Sequence, residues 1–590
     1  MLNNAIDICN EQSYQLLPLY HSALISRSTL NIQHDKYSES DILPIYNSYR
    51  NLYEKNISLF ANAERESYLK NNNLDDVIFS LRQTSKNDSI LMDYVLLNKN
   101  LLLRTNSSFV ESITTSNNPE LTDKLDEMRL INADIQREST SHHPDINKVG
   151  ELSARSLALE RVLIAQSREY DDYTRKNSIS WKSIQSKLSG NSIAVEYIDY
   201  TDVKTGIRKY AALLLKGDWN TPKYISLCSE EDLLMSLSQE TDSLYSNTFQ
   251  SNHATELLWR PISSYVKKGD IIYYSPTGSL HTTALENLYY DEKTLGEQYQ
   301  MYRCSSTSII IQENNRVPYT SAVVYGGLTY SISADDMLAQ SYAYSQSRNA
   351  FIPHFTKESR QDRAGLSFLY GSKVETDDIS KMMSDAGYKV CLYQAKEGNE
   401  ESFKALSDSS FNILHLATHG YFINADTLEK TPLPNSFLLD VLRSGMMNSF
   451  SRQMSTSGLL LSGANAAWTG NEVQDVLEDG ILTSAEISYV NLANTDLVVL
   501  SACETGLGNV TPTGVYGLQR AFKNAGVNSL LMTLWKVDDV ATSVMMKEFY
   551  KNLLSGKSKT ESFNLAIRAV KSEFSEPKYW AGFIMLDGIH

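Results

Sequence analysis

This sequence of 590 residues has few cysteines. There are five, and no two of them are separated by two residues: Cys9, Cys228, Cys304, Cys391 and Cys503. An odd number without paired spacing argues against a disulfide framework and a zinc site, and it is typical of a reducing compartment. The sequence therefore predicts a cytoplasmic protein whose cysteines are candidates for chemistry.

Long apolar runs and an excess of basic charge are also missing. No stretch approaches the ~18 apolar residues that a membrane span requires. The N-terminal sequence has no basic segment followed by an apolar one, so no secretory signal is expected. Lys and Arg number 54 against 70 Asp and Glu, which makes a net charge of −16. Phosphate backbones attract basic surfaces, so this acidic chain is not expected to bind nucleic acid directly. Without an apolar span, membrane binding is not expected either.

The first 180 residues have the apolar spacing of helices. Between residues 91 and 131 apolar side chains recur every three to four positions, which is the helical period. Asn117-Asn118-Pro119 and Ser141-His142-His143-Pro144 interrupt this pattern, and each predicts a turn before a new helix. We expect a stack of antiparallel helices over residues 1–180, including one from Leu152 to Ser167, acting as a scaffold or solenoid.

After Trp181 short β-rich runs replace the helical pattern. The first two read as a hairpin, and later ones alternate with helices predicted at 375–386, 514–525 and 541–554. Near-continuous apolar strands between amphipathic helices predict an α/β domain, with a mostly parallel sheet covered by helices on both faces. The predicted strands are 193–198, 210–215, 270–274, 322–325, 389–392, 411–416, 496–500 and 529–533.

Two polar loops follow strands in this region. They cover Asn424–Ser457, with prolines at 432 and 434, and Ala466–Gly480. Loops at the carboxyl edge of a parallel sheet commonly build the functional site. Both are therefore candidates for substrate contact, regulation or cleavage.

Two strand ends carry reactive side chains beside small residues. One strand runs into Ala417-Thr418-His419-Gly420, and another runs into Ser501-Ala502-Cys503. At one sheet edge, His419 can take the thiol proton of Cys503 and return it to a leaving amine. The backbone amides of Gly420 and Cys503 can face a carbonyl oxygen. A metal is a weaker interpretation, because one Cys and one His fall short of a zinc ligand set.

Several of these residues also have a purely structural interpretation. A lone cysteine at a strand end is more often a small core residue, and His415 precedes the edge and is expected to be packed in the core. Asp538 and Asp539 are typical caps of the helix that follows them. Strand-end hydrogen bonds explain Ser501 and Thr418.

The two reactive segments, in this order, resemble those of the CHAT-domain cysteine peptidases, which are relatives of caspases, separases and gingipains. The resemblance extends from about Trp181 to the C-terminus, and residues 91–130 are similar to the helices that usually precede the domain. The further segments that carry it are 269–281, 374–386, 397–403, 457–465, 514–518, 534–539 and 579–583.

The resemblance implies a caspase-like α/β sandwich with a degenerate first half. It assigns residues 1–180 to a TPR-like helical region, 181–317 to the degenerate half and 318–590 to the catalytic half. It also implies an endopeptidase without a cofactor that works through a thioester acyl-enzyme. His419 is then the general base and acid, Cys503 is the nucleophile, and the amides of Gly420 and Cys503 form the oxyanion hole.

The resemblance also bears on substrate and partners. Relatives that accept a basic P1 residue place an acid where Asp538 or Asp539 falls, beside Trp535. Charge complementarity therefore suggests a protein substrate with a basic P1 residue. Helical regions of such proteins bind partners, so an activating protein or complex is expected at residues 1–180. Bacterial relatives work in antiviral defence, either by activating a gasdermin-type pore-forming protein or beside a CRISPR complex.

Two other functions stay open at this level. A caspase-like interaction scaffold would bind a partner equally well with and without Cys503. Acyl transfer to non-peptide acceptors would use the same dyad and leave every protein uncut.

Overall fold

The computed structural model describes most of the chain in separate segments. The described residues are 18–56, 65, 74–82, 84–99, 113, 116, 118–139, 145–166, 179–237, 253–312, 318–345, 365–407, 409–423, 453–469, 478–502, 505–511 and 514–589. The chain divides into two compact units. The first consists of Met1–Thr122, Glu160–Asn314 and Pro512–Gly514, and the second of Asp123–Leu159, Asn315–Thr511 and Val515–His590.

The N-terminal region is helical, as predicted. Pro119 opens one of its helices, at a position where the missing N–H needs no partner. No helix in the described part of the chain is both long and apolar enough to cross a membrane. The helices are α1 (Pro18–Gln33), α2 (Ile42–Asn56), α3 (Asp75–Ser80), α4 (Asp88–Asn98), α5 (Pro119–Ser139), α6 (Ile146–Gln166) and α7 (Trp181–Gln185).

The first unit contains a mixed sheet of order β3-β2-β1-β4-β7. The predicted hairpin is β1 and β2, which pair antiparallel, and β4 and β7 add parallel strands. A polar turn joins β1 to β2, where the Asp202 carboxylate accepts the backbone N–H groups of Lys204 and Thr205. The elements are β1 (Ser192–Thr201), β2 (Arg208–Lys216), β3 (Lys223–Ser229), α8 (Glu230–Leu237), α9 (His253–Leu258), α10 (Arg260–Ser263), β4 (Ile271–Ser275), β5 (Tyr289–Tyr290), β6 (Lys293–Thr294), α11 (Leu295–Gln298) and β7 (Gln300–Arg303).

The N-terminal helices of this unit share a hydrophobic core with the hairpin. Tyr46, Leu91 and Tyr94 from the helices pack in the same buried cluster as Ile198 and Leu213 from the strands. Burial of such side chains contributes about 1.5–3 kcal/mol each. The helices therefore stabilise the sheet directly.

One buried ion pair joins the end of α4 to β1. Lys99 Nζ lies 2.9 Å from Glu196 Oε2 and donates to the carbonyls of Tyr197 (2.9 Å) and Ser275 (3.0 Å). Glu196 Oε1 accepts the backbone N–H and the hydroxyl of Thr307, both at 2.6 Å. Each charge thus has a full set of partners, which a buried pair needs if it is to offset its desolvation.

From residue 318 onward, strands alternate with helices. The elements are β8 (Ser321–Leu328), α12 (Ala334–Ser345), α13 (Tyr370–Asp385), β9 (Lys389–Ala395), α14 (Glu400–Lys404), β10 (Ile413–Leu416), β11 (His419–Phe422), β12 (Ser457–Leu460), α15 (Asn465–Trp468), β13 (Ile481–Thr483), α16 (Ser484–Ile487), β14 (Leu497–Leu500), β15 (Asn509–Thr511), β16 (Gly514–Tyr516), α17 (Leu518–Asn524), β17 (Ser529–Thr533), α18 (Asp539–Leu554), α19 (Lys559–Glu573) and β18 (Phe583–Leu586).

The second unit is built on a mostly parallel sheet, which confirms the predicted α/β class. Its order is β18-β17-β14-β10-β8-β9. The pairs from β17 through β14, β10 and β8 to β9 are parallel, and β18 joins antiparallel to β17. A separate antiparallel sheet contains β11, β12 and β13. The division at residues 180 and 317 stays a prediction.

One predicted helix is shorter than expected. The sequence favoured a helix over 514–525, whereas Gly514–Tyr516 is a strand and the helix spans Leu518–Asn524. Gly517 between them has an extended backbone, and a Cβ there would lie 2.8 Å from the Leu507 carbonyl oxygen. The close approach of two backbone segments therefore ends the strand and delays the helix.

Replacing Lys99 with methionine is expected to destabilise the first unit by about 3 kcal/mol, because Glu196 would stay buried without its cation. Lys99→Met/Glu196→Gln is expected to recover more than half of that loss. The measurement is hydrogen exchange of β1 and β2 in a denaturant series. Lys381→Met is the matched control, since the Lys381–Asp385 pair is exposed and such pairs contribute little. Wild-type protection in Lys99→Met would contradict the prediction.

Candidate active site

The candidate site lies where two parallel strands end at one edge of the sheet. β10 and β14 are fully buried and pair in register, with Leu416 opposite Leu500. Ser501 continues the pairing by donating its N–H to the Leu416 carbonyl, at 2.9 Å. His419 follows Leu416 by three residues, and Cys503 follows Leu500 by three residues.

His419 lies beyond the end of the strand predicted over 411–416, in a second sheet that the sequence did not reveal. It opens β11, which pairs antiparallel with β12 and places His419 opposite Leu460 and Gly420 opposite Leu459. The two intervening residues, Ala417 and Thr418, turn the chain from one sheet to the other. The imidazole is partly exposed at this junction, so a substrate can reach it.

The backbone carbonyl of Ser367 fixes the tautomer of His419. Its oxygen lies 3.0 Å from Nε2 of the imidazole. A carbonyl only accepts hydrogen bonds, so Nε2 carries the proton and Nδ1 of the neutral ring has a free lone pair. His419 is thereby set up as a base through Nδ1.

Asn465 holds the segment that presents this carbonyl. Its side-chain oxygen accepts the Leu366 N–H at 2.6 Å, and its amide nitrogen donates to the Leu366 carbonyl at 3.1 Å. The same amide nitrogen donates to the hydroxyl of Ser331 at 2.7 Å. Ser367 follows directly, so its carbonyl is held by the side chain of Asn465, the first residue of α15.

Tyr330 and Thr418 hold the backbone on the other side of the imidazole. The Thr418 hydroxyl donates to the Leu460 carbonyl, so it accepts the proton of the Tyr330 hydroxyl at 2.9 Å. Burial raises the pKa of Tyr330 to about 12, which keeps this donor protonated. The Tyr330 ring also packs on His419, with the two ring centres 4.9 Å apart. Thr418 is thus a strand-end hydrogen bonder, as predicted.

Cys503 lies outside the described residues, and its neighbours are tied to β17. The Ala502 carbonyl accepts the hydroxyl of Thr533 at 2.7 Å, and the Gly506 N–H donates to the Thr533 carbonyl at 2.7 Å. The buried Thr505 hydroxyl donates to the Ala502 carbonyl at 3.4 Å and accepts the backbone N–H of Thr533 at 3.2 Å. Both flanks of residues 503–504 are therefore anchored at the carboxyl edge.

The three residues predicted to contact substrate have different surroundings. Asp538 caps α18, because its carboxylate accepts the N–H groups of Val540 (2.9 Å) and Ala541 (3.2 Å). Asp539 is exposed. Trp535 is buried and donates its indole N–H to the Lys578 carbonyl at 3.0 Å. Of the two acids, Asp539 is the one whose carboxylate is not used by the helix cap.

His415 is a packed core residue, as the sequence suggested. Its Nε2 lies 2.9 Å from Glu375 Oε1, and its Nδ1 lies 3.1 Å from the hydroxyl of Tyr550. All three side chains are buried. The ring therefore connects α13, β10 and α18 inside the second unit.

The predicted functional loops are described only in part. Residues 424–452 of the first loop and 470–477 of the second lie outside the described residues. The end of the second loop joins a group of carboxylates that the sequence did not reveal. These are Glu400, Glu401, Glu478, Asp479 and Glu486, with the ammonium of Lys404 among them.

Lys404 supplies the positive charge of this acidic cluster. Its Nζ lies 2.7 Å from Glu400, 2.7 Å from Glu478 and 3.1 Å from Glu486. These three glutamates are the one group in the described residues with the ligand spacing of a cation site. Because the ammonium already occupies the centre, the geometry is that of an ion-pair network.

The cluster connects to the sheet that carries His419. Glu400 accepts the N–H of Gly480 at 3.0 Å, and the Gly480 carbonyl accepts the N–H of Leu461 at 2.8 Å. Burial, with a smaller contribution from neighbouring carboxylates, raises the pKa of Asp479 to about 7. Burial also raises the pKa of Glu401 to about 7. These carboxyls therefore titrate near neutral pH.

The protection of β12 and β13 is expected to fall as the pH rises from 5 to 8. A carboxyl pKa that is raised in the folded state means that the folded protein keeps a proton that the unfolded chain has released. The free energy of unfolding is therefore highest at low pH and falls as the pH rises through 7. Since Glu401 and Asp479 are partly exposed, the loss should be on the order of 1 kcal/mol. Hydrogen exchange corrected for intrinsic rates measures it, and Glu401→Gln/Asp479→Asn should flatten the profile. A steeper profile in that variant would contradict the assignment.

The neutral imidazole of His419 is expected to be the Nε2–H tautomer. Nitrogen-15 shifts of histidine side chains in selectively labelled protein report this directly at pH 7.5 and above. His419→Gln assigns the signal. Asn465→Ala, which releases Leu366, is expected to mix the tautomers. A dominant Nδ1–H signal in the wild type would contradict the role of the Ser367 carbonyl.

Sequence comparison places the chain among known proteins. Residues 250–588, more than half of the chain, match the family model of the CHAT domain. A stretch of 112 residues is 37% identical to Tetratricopeptide repeat protein 28 of Mus musculus and covers 19% of this chain and 4% of that protein. A stretch of 121 residues is 34% identical to the protein of the same name in Homo sapiens, covering 20% and 5%. The matches thus span about 4–5% of the length of these relatives.

Two solved structures are similar to this chain at low sequence identity. The Arg-specific cysteine proteinase gingipain R is 8% identical with a TM-score of 0.32, over 59% of this chain and 68% of that one. The Saccharomyces cerevisiae separase–securin complex is 10% identical with a TM-score of 0.42, over 96% and 40%. With the family model matched across most of the second half of the sequence, the chain belongs to the CHAT-domain family.

Proposed function

We propose that this protein is a cysteine endopeptidase in which Cys503 is the nucleophile and His419 the general base and acid. The observation that carries the proposal is the in-register end of β10 and β14, with Leu416 opposite Leu500. This register supports a site in which two segments far apart in sequence meet at one edge. CHAT family membership supports the same chemistry.

The proposed reaction follows from the tautomer of the imidazole. Nδ1 of His419 takes the proton of the Cys503 thiol as the sulfur attacks the scissile carbonyl carbon. The resulting imidazolium then gives that proton to the leaving amine as the C–N bond breaks, which leaves a thioester on Cys503. Water, deprotonated by the same imidazole, hydrolyses the thioester and releases the acid product. The Ser367 carbonyl stabilises the imidazolium in both halves.

Backbone amides are proposed to stabilise the oxyanion. The candidates are the N–H groups of Gly420 and Cys503, since preorganised donors at the developing charge give a large part of such rate enhancement. Gly420 lies on β11 directly after His419 and is partly exposed. Without a side chain there, a substrate backbone can approach closely.

The proposed substrate is a protein with a basic P1 residue. Asp539 supports this part, because its carboxylate is exposed while that of Asp538 caps the helix. Trp535 is buried and its N–H already donates to the Lys578 carbonyl, so its proposed role is to shape the site rather than to contact P1 through that N–H.

Regulation by a partner is proposed at residues 1–180. The support is that α1 to α4 are packed in one core with β1 and β2, so a partner bound to the helices acts on a folded platform. The proposed partner is an activating protein or complex. The proposed biological role of the whole protein is bacterial antiviral defence, in the cytoplasm.

Cys503 is expected to react with iodoacetamide faster than any other cysteine, because a neighbouring imidazole promotes thiolate formation. The internal references are Cys391, which is exposed, and Cys228, whose thiol pKa burial raises to about 12. His419→Ala should slow the labelling of Cys503 about tenfold. Mass spectrometry of tryptic peptides measures all rates in one sample.

Peptidase activity itself is tested by co-expression with proteins encoded beside the gene, read by intact-mass spectrometry. A fragment that forms with the wild type and with Cys391→Ser, and is missing with Cys503→Ala, supports the proposal and names P1. A stable complex that stays uncut with both wild type and Cys503→Ala would instead indicate an interaction scaffold.

A further inference from the structure

A small group of exposed apolar side chains lies beside the candidate site. Phe368 is 49% exposed, Tyr370 72%, Val374 40% and Val540 61%. The other large exposed apolar side chains of the described residues occur at distant points of the sequence. Contiguous exposed apolar surface usually marks an interaction site, whereas single residues do not. These four residues are called the apolar surface below.

Local structure brings the four residues together. Tyr370 and Val374 are four positions apart on α13, so they share one face of the helix. Phe368 lies two residues before Tyr370. A Cβ on Gly371 would lie 3.4 Å from Cβ of Asp539, so the first turn of α18, which contains Val540, packs against the first turn of α13.

The apolar surface is continuous with the catalytic candidate. Phe368 directly follows Ser367, whose carbonyl oxygen lies 3.0 Å from Nε2 of His419. The chain that orients the imidazole therefore continues into the apolar surface without a break. A polypeptide that approaches His419 along the Ser367 segment would meet Phe368 next.

The charge on this surface indicates what else the polypeptide carries. Asp539 is exposed next to Val540, while Asp538 beside it is used by the helix cap. An exposed carboxylate next to an exposed apolar side chain attracts a cationic residue and disfavours an acidic one. Tyr370 adds an aromatic ring, which binds both apolar chains and cations well.

We propose that the apolar surface of Phe368, Tyr370, Val374 and Val540 binds an apolar side chain of the substrate, within two residues of the basic residue that faces Asp539. The enzyme then selects a basic–apolar pair in the substrate and not a basic residue alone. This inference rests on the proposed peptidase function and adds a specificity surface to it.

The test uses a peptide library with both sides of each bond represented. The library is a whole-proteome digest made with an endoproteinase that cleaves after glutamate, because this leaves bonds next to basic and apolar residues uncut. Cleavage sites are those produced by the wild type and not by Cys503→Ala, identified by mass spectrometry. The variants are Tyr370→Ala and Val540→Ser. Tyr342→Ala and Ile207→Ser are matched controls, since these side chains are 44% and 48% exposed elsewhere.

We expect wild-type sites to favour Leu, Ile, Val, Phe or Tyr near the basic residue by about tenfold over Gly, Ser and Asn, in the range that one apolar contact provides. Tyr370→Ala and Val540→Ser should each lose most of this preference and still cleave next to Lys or Arg. The two control variants should keep it. Asp539→Asn should weaken the preference for the basic residue while the apolar preference remains.

Sites that depend on Cys503 but show no apolar preference would overturn the inference and leave the proposed peptidase intact. So would a preference that Tyr370→Ala and Val540→Ser leave unchanged. If those variants instead abolish a dimer seen by light scattering, without a change in selectivity, the apolar surface belongs to a second copy and the inference is wrong. No cleavage dependent on Cys503 in the digest would contradict the proposed function, and the inference with it.

Discussion

The parallel pairing of β10 with β14 is the constraint on which the candidate site depends. Both strands are fully buried, and their register places Leu416 opposite Leu500. A shift of one residue would turn every side chain to the other face of the sheet, so the hydrophobic core holds this register strongly. The chemistry at the edge is thus positioned by apolar packing several residues away.

A short series of hydrogen bonds orients the imidazole of His419 at that edge. Asn465 holds Leu366, which places the Ser367 carbonyl on Nε2 of His419. Tyr330 completes the arrangement from the other side through Thr418. Each of these bonds is modest in free energy, but together they leave one tautomer and one direction for the free lone pair. This is how backbone and amide groups without reactivity of their own determine what the histidine can do.

The acidic cluster adds a second kind of control to the same small sheet. One ammonium, that of Lys404, balances several carboxylates, so protons must supply part of the remaining compensation. Gly480 joins this cluster to β12, which pairs with the strand of His419. The stability of the strand that carries His419 is therefore linked to pH through groups that lie outside the proposed Cys503–His419 dyad.

The sequence by itself predicted eight strands, several helices and the segments that carry His419 and Cys503, because apolar periodicity and strand-end motifs are local signals. It did not predict β3, β7 or β18. It did not reveal the roles of Ser367, Tyr330 or Asn465, which act through contacts between distant segments. The strand predicted over 411–416 does end at Leu416, but the sequence did not reveal that the chain turns at Ala417 and Thr418 and that His419 begins a new sheet. Such hydrogen bonds and sheet changes are decided by tertiary packing, since their partners are chosen by proximity in space and not by spacing along the chain.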